Sequence, residues 1–210
     1  MNSVLVIAAH PDDEVLGCGG TIAKLSKTCQ IHILVLTAGR IEGMRDRAKQ
    51  ANAVLRAETT ILDFPDQQLD TVPLQTIAKS IDEMIAAYHP ANVYTHSPCD
   101  LNQDHQAAAA ARLIATRPVP GHPVKAVYTY EVNSATEWGF GQFRTFQPNV
   151  FMDITDTLDI KLKALACYDP EMRKYPHPRS TEAILYMAKY RGTAVGVAAA
   201  EAFALVRSLT

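Results

Sequence analysis

The sequence predicts an α/β fold with a Rossmann-like, mostly parallel sheet flanked by helices. Short apolar runs rich in β-branched residues recur along the chain, each of strand length and bounded by turn residues. Stretches with apolar residues at helical spacing separate them, and such alternation implies parallel strands joined by right-handed crossovers. The first and fourth apolar runs each end in a dense polar cluster. Open α/β proteins build their sites at this carboxyl edge of the sheet.

Residues 4–9 read as the first strand, and residues 15–25 open the first helix. Residues 30–38 form a second strand ended by Gly39 and Arg40, and His32, among apolar neighbours, belongs to the sheet. A helix over 43–58 places Met44, Ala48, Ala51, Val54 and Leu55 on one face, with Arg45, Arg47 and Lys49 toward solvent or a ligand. Residues 59–64 make a third strand stopped by Pro65 and Asp66, residues 73–88 a helix, and residues 92–96 a fourth strand. An alanine-rich helix over 106–116 follows, then a proline-rich loop over 118–123 and strands over 125–132 and 150–154. Helices over 156–168, 181–190 and 197–207 complete the reading. Trp138, Phe140, Phe143 and Phe146 crowd an irregular stretch that suits a lid, a pocket wall or a subunit contact. With 210 residues, no repeat and no low-complexity linker, one domain over 1–210 is expected.

Composition excludes several classes. Hydrophobic residues make up 48% and charged residues 20%, the proportions of an ordinary globular chain. A net charge of -2 creates no field that would draw in nucleic acid, and no apolar stretch is long enough for a transmembrane segment. The amino-terminal apolar run leads straight into a polar cluster without a leader-like cleavage pattern, so a cytoplasmic location is expected. Cys18, Cys29, Cys99 and Cys167 form no Cys-x-x-Cys pair and read as reduced thiols.

The polar clusters carry the chemistry. His10-Pro11-Asp12-Asp13-Glu14 puts an imidazole and three carboxylates directly after a buried strand, and a divalent cation is the usual remedy for such repulsion. His10 and Asp13 are spaced to turn toward one ion, with Asp12 alongside it. The fourth strand delivers His96 through His105, and His105 at a helix start would complete a His-Asp-His set with a coordination position left open. The alternative is a helix cap at Asp104 with His105 exposed. Nitrogen and oxygen ligands suit zinc, with iron, manganese or cobalt as further options, and Cys18 or Cys99 lies near enough in sequence to be considered as a ligand. No Gly-x-Gly-x-x-Gly follows the first strand, which removes the usual dinucleotide fingerprint.

Ala8-Ala9-His10-Pro11-Asp12-Asp13-Glu14, followed by Gly17-Cys18-Gly19-Gly20-Thr21, resembles the signature of the LmbE-like, or PIG-L, family of zinc-dependent de-N-acetylases. Asp104-His105 resembles the family's downstream metal histidine. The Tyr175-Pro176-His177-Pro178-Arg179-Ser180 loop, Arg191-Gly192 and Ala200-Glu201-Ala202-Phe203 are similar to late features of some bacterial branches. The resemblance implies zinc on His10, Asp13 and His105, with Asp12 as general base. It also implies two departures: Asn102 stands where several members carry a histidine, and Arg47 where many carry a glutamate. Arg45 then matches the family's substrate-contacting arginine, Asp66 is a partner for sugar hydroxyls, and His177 and Arg179 reach the site from the late loop or form a structural turn there.

The implied function is hydrolysis of an N-acetyl group from an N-acetylated amino sugar, an N-acetylglucosamine-like conjugate. Two alternatives are a hydrolase of another N-acyl amide and a metal- or sugar-binding protein without turnover. Assembly into a homo-oligomer, a trimer or hexamer, is a further expectation from the family.

Overall fold

A computed structural model describes residues 3–140 and 144–210. Phe143 lies outside the described residues. One sheet of seven strands runs through them: β1 (Ser3–Ala8), β2 (Gln30–Thr37), β3 (Glu58–Phe64), β4 (Asn92–His96), β5 (Ala126–Tyr130), β6 (Val150–Asp153) and β7 (Ala200–Ser208), in the order β3-β2-β1-β4-β5-β7-β6. The first five pair in parallel with one another, while β7 runs antiparallel to both β5 and β6.

Among the described residues the six α-helices are α1 (Asp13–Leu25), α2 (Met44–Val54), α3 (Leu74–Tyr88), α4 (Gln103–Ala115), α5 (Leu158–Leu165) and α6 (Thr181–Thr193). The period-two alternation of β1 sorts them into layers. Val4, Val6 and Ala8 pack with Ile22 of α1, Met44 and Ala48 of α2 and Leu165 of α5. Leu5, Ile7 and Ala9 point the other way, onto Ile77 and Ile81 of α3 and Ala108 and Ala111 of α4. Both faces of β1 are therefore buried, which is why it reads as an unbroken apolar run.

Strand order reverses at β1, which pairs β2 on one side and β4 on the other. The crevice at such a reversal is the ligand-binding position of open α/β sheets. Residues 10–14 and 97–105 leave the sheet at this point, side by side.

The expected helix over 197–207 is instead β7. Its alanines favour a helix, but the gap between β5 and β6 offers hydrogen bonds to both edges, and tertiary pairing overrides propensity. Ala200 to Phe203 are all buried, so no polar alternation marks the strand. α4 begins three residues ahead of the expected start because Asn102 caps it, its side chain accepting from the Asp104 amide.

Candidate metal centre

The turn after β1 is strained. Asp12 has φ 111° and ψ −29°, a left-handed conformation that costs a non-glycine residue about 1–3 kcal/mol. The reward is a fan of side chains at the start of α1: Asp12, Asp13 and Glu14 are all buried. His10 Nδ1 lies 3.1 Å from Asp13 Oδ2, His105 Nε2 lies 3.2 Å from the same oxygen, and the two ring nitrogens are 3.3 Å apart. One donor atom from each of His10, Asp13 and His105 falls within 4.8 Å of the others. Asp13 Oδ1 is buried with no hydrogen-bond partner among the described residues. A buried carboxylate with Oδ2 between two imidazoles, where it also accepts the His10 amide, and with Oδ1 orphaned fits a divalent cation, so the residues present suit the metal implied by the sequence.

Each histidine of this set has a carboxylate on its other nitrogen. His10 Nε2 is 3.0 Å from Asp104 Oδ2, and His105 Nδ1 is 3.1 Å from Asp100 Oδ2. Carboxylates in this position fix the tautomer and orientation of ligating imidazoles. Asp104 does not cap α4; its oxygens accept the backbone amides of Gln67 (2.8 Å) and Leu69 (2.9 Å). Behind His105, the His96 ring stacks with centroids 4.0 Å apart, and His96 Nε2 accepts the Ala9 amide at 2.8 Å. Tyr130 donates its hydroxyl to the Ile7 carbonyl at 2.7 Å, and its ring lies so close to Gly17 that a Cβ there would meet it at 2.2 Å.

Neighbouring charges and burial set the ionisation of each group in the cluster. Burial opposes a charge on His10, but the Asp104 and Asp13 carboxylates overcome it and raise the imidazole to about 10. Burial likewise opposes a charge on His105, which Asp13 and Asp100 lift to about 9. Burial also acts against Asp13 ionisation, yet His105, His96 and His10 hold it well below the usual carboxylate range. Asp12 behaves in the opposite way: burial drives it well above that range, helped by Asp13 and Glu14 and resisted by Arg179. Burial pushes Glu14 to about 7, against hydrogen bonds from the Tyr168 hydroxyl and the Asp12 amide.

A cavity of about 110 Å³ opens over the cluster, and His10, Asp12, Arg40, Asp66, Asn102 and Arg179 contribute to its polar wall. Residues 5–116 match the family described as PIG-L, GlcNAc-PI de-N-acetylase. The chain belongs to the PIG-L family of deacetylases. It is 30% identical to the uncharacterized deacetylase YaiS of Escherichia coli over 77% of this chain and 88% of that protein. It is 25% identical to the diacetylchitobiose deacetylase of Thermococcus kodakarensis, covering 81% of this chain and 70% of the relative. Among solved structures, the conserved protein TT1542 of Thermus thermophilus superposes with a TM-score of 0.78 at 27% identity, over 100% of this chain and 97% of the other.

Within this PIG-L chain, the remaining residues singled out from sequence separate into two groups. Arg179 Nη1 donates to Asp12 Oδ2 at 2.9 Å and its Nε donates to Ser134 Oγ at 2.8 Å, which brings the late loop to the cavity. Asp66 Oδ1 sits 3.2 Å from His10 Nε2, and Asn102 lines the cavity from the α4 cap. His177 stands back: its Nδ1 accepts the Arg179 amide at 3.1 Å while its ring meets Trp138 edge to face. Arg45 points elsewhere, expected at the substrate but bound to the Asp63 carboxylate and to the Ile61 and Leu62 carbonyls of β3. The cavity's arginine from this region is Arg40, whose Nε is 3.2 Å from Asp66 Oδ2. A signal for Arg40 existed, since it follows β2 at the same carboxyl edge as the polar clusters. Gln67 and Glu171 also line the cavity and carried no comparable signal.

Among the described residues no helix is long and apolar enough to cross a membrane.

Proposed function

We propose that the chain, acting as one cytoplasmic domain over residues 1–210, removes the acetyl group from an N-acetylglucosamine-like amino sugar, with zinc as cofactor and Asp12 as general base. The observation that carries this reading is a buried carboxyl, Asp12, on the cavity wall beside the His10, Asp13 and His105 donors. A site built only to bind a ligand has no use for a proton acceptor there. The diacetylchitobiose deacetylase relative supports the substrate class. The nitrogen and oxygen donors of His10, Asp13 and His105 suit zinc, with Fe2+ as the next choice. Bound there, the cation supplies a Lewis acid that acidifies water and polarises an acyl carbonyl.

Asp12 accepts a proton from the attacking water and later delivers it to the amine nitrogen as the C–N bond breaks, leaving acetate and the free amino sugar. Burial raises its pKa above the usual carboxylate range, which makes the ionised form a stronger proton acceptor. Arg179 holds the Asp12 carboxylate in place through its 2.9 Å contact. Asn102 uses its side-chain oxygen for the α4 cap, which leaves its amide NH2 to donate to the substrate. Asp66, Arg40 and Glu171 supply acceptors and charge for sugar hydroxyls. At about 110 Å³ the cavity is smaller than whole-ligand pockets of roughly 300–1,000 Å³, so the acetamido group enters while the sugar ring stays at the mouth.

The test is amine release from a panel of N-acetylglucosamine derivatives, using protein stripped of metal and reloaded with zinc, beside Asp12→Ala. Zinc should restore turnover, and the variant should keep zinc while losing roughly 10²–10⁴-fold in rate. Cleavage of other N-acyl amides alone would replace the substrate class, and ligand binding without turnover would leave a binding protein. Assembly as a trimer or hexamer, with the exposed Phe140 and Trp138 at the contact, is part of the same reading. A monomeric sedimentation profile at micromolar concentration would remove that part.

A further inference from the structure

We propose that Lys161 and Glu201 form a buried clamp that positions the Asp12–Asp13 turn, making them positioning residues for the metal centre. The inference rests on the site assignment above but draws on a different region of the molecule. α1 is not continuous: Cys18 has φ −149° and ψ 25° inside the helix. A break of this kind leaves carbonyls before it and amides after it without helical partners. Here those groups are taken up by two side chains far away in sequence. Lys161 Nζ donates to the Leu16 carbonyl at 2.8 Å. Glu201 Oε1 accepts the Gly20 amide at 2.9 Å, and its Oε2 accepts the Thr21 amide at 2.7 Å. The two side chains meet each other at 2.6 Å, and both are almost wholly buried.

The clamp therefore grips both sides of the break. Lys161 holds the end of the short first segment, which begins with Asp13, and Glu201 caps the start of the second as an anion at a helix N-terminus. Gly19 makes room for it, since a Cβ there would lie 3.2 Å from Lys161 Cγ and 2.9 Å from Val15 Cγ1. The first segment is about one turn long, too short to hold a fixed direction by its own hydrogen bonds. It carries Asp13 and follows the strained Asp12, a conformation that persists only where the surroundings determine it. Glu201 also comes from β7, whose pairing with β5 and β6 is extensive, so the clamp ties the turn to a rigid part of the sheet.

The readout is Co2+ binding, by chelator competition and by the visible absorption spectrum of the bound ion, which reports ligand geometry without any substrate. Wild type is compared with Glu201→Gln and with the paired Lys161→Met, Glu201→Gln variant, which leaves no unpaired buried charge. In the folded variants Co2+ affinity should fall at least tenfold and the spectrum should change, with the paired variant recovering thermal stability but not the wild-type spectrum. Wild-type affinity and spectrum in a folded variant would overturn the clamp, reducing the pair to a structural one. Hydrogen exchange on the wild type covers the case of variants that do not fold. Gly20 and Thr21 amides as slow as the central strands support the clamp, whereas rates typical of an open helix end overturn it. Failure of the wild type to bind Co2+ would sink the metal assignment, and the exchange rates would still decide the clamp.

Discussion

The two carboxylates nearest the His10 ring, Asp13 on one side and Asp104 on the other, differ in how their oxygens are satisfied. On the Nδ1 side, Asp13 keeps one oxygen without a hydrogen bond, and His105 presents a second imidazole nitrogen. On the Nε2 side, Asp104 has both oxygens occupied by backbone amides, while Asp66 gives Oδ2 to Arg40 and keeps Oδ1 without a hydrogen bond, 3.2 Å from the ring nitrogen. His10, Asp66 and Asp104 would also satisfy a count of metal-ligating atoms. What separates the two sets is the hydrogen bonding of Asp13 and Asp104, not proximity. Asp104, with an amide on each oxygen, is placed to orient its histidine, whereas Asp13 accepts the His10 amide on Oδ2 alone and keeps Oδ1 free of hydrogen bonds.

The sharpest way to break this contrast is to remove one carboxylate from each side. Asp13→Ala should lower zinc affinity by more than about 100-fold, beyond the roughly 10–100-fold expected for Asp104→Asn, with chelator competition as the measurement. Equal losses would mean that the cation uses both sides of the ring. A third prediction follows from the charge on the histidines. A cation must displace their protons, so its affinity should rise by about tenfold per pH unit for each proton released, from about pH 7 up to the His105 value of about 9.

The chelated protein should show the reverse trend in thermal stability. His10 and His105 are raised from 6.5 to about 10 and about 9, so their contribution is full below 6.5 and is lost as pH rises through those values. Its melting temperature should accordingly drop between about pH 7 and 10, and a flat profile would contradict the ion pairs around His10. The smallest effect concerns substrate. Arg40→Ala should raise KM by roughly fivefold, as befits an exposed side chain, while Arg45→Ala should leave KM within about twofold.

Much of the fold was legible because its evidence is local. The apolar runs of β1, β2 and β4 and the spacing of α2 and α3 follow directly from burial on a sheet. His10 through Glu14 and Asp100 through His105 stand out because the candidate ligating groups lie within a few residues of one another. β7 was not legible: burial on both faces erased its alternation, and its alanines favour a helix. The direction of an arginine was equally hidden, since Arg45 faces β3 and Arg40 faces the cavity only once α2 has docked. Asp104 resembled an N-cap by position, and its bonds to the 67–69 loop exist only because strand order brings that loop alongside α4.

The reversal of strand order at β1 also sets a timetable for making the protein. His10 and His105 are separated by 95 residues yet lie in contact, so a large loop must close before the donor set exists. β2, α2, β3 and α3 all leave the ribosome before β4 can take its place against β1. A chain paused after its first hundred residues carries His10 and Asp13 without His105, and the candidate donor set exists only once β4 and α4 have emerged, with the second half of the chain still to come.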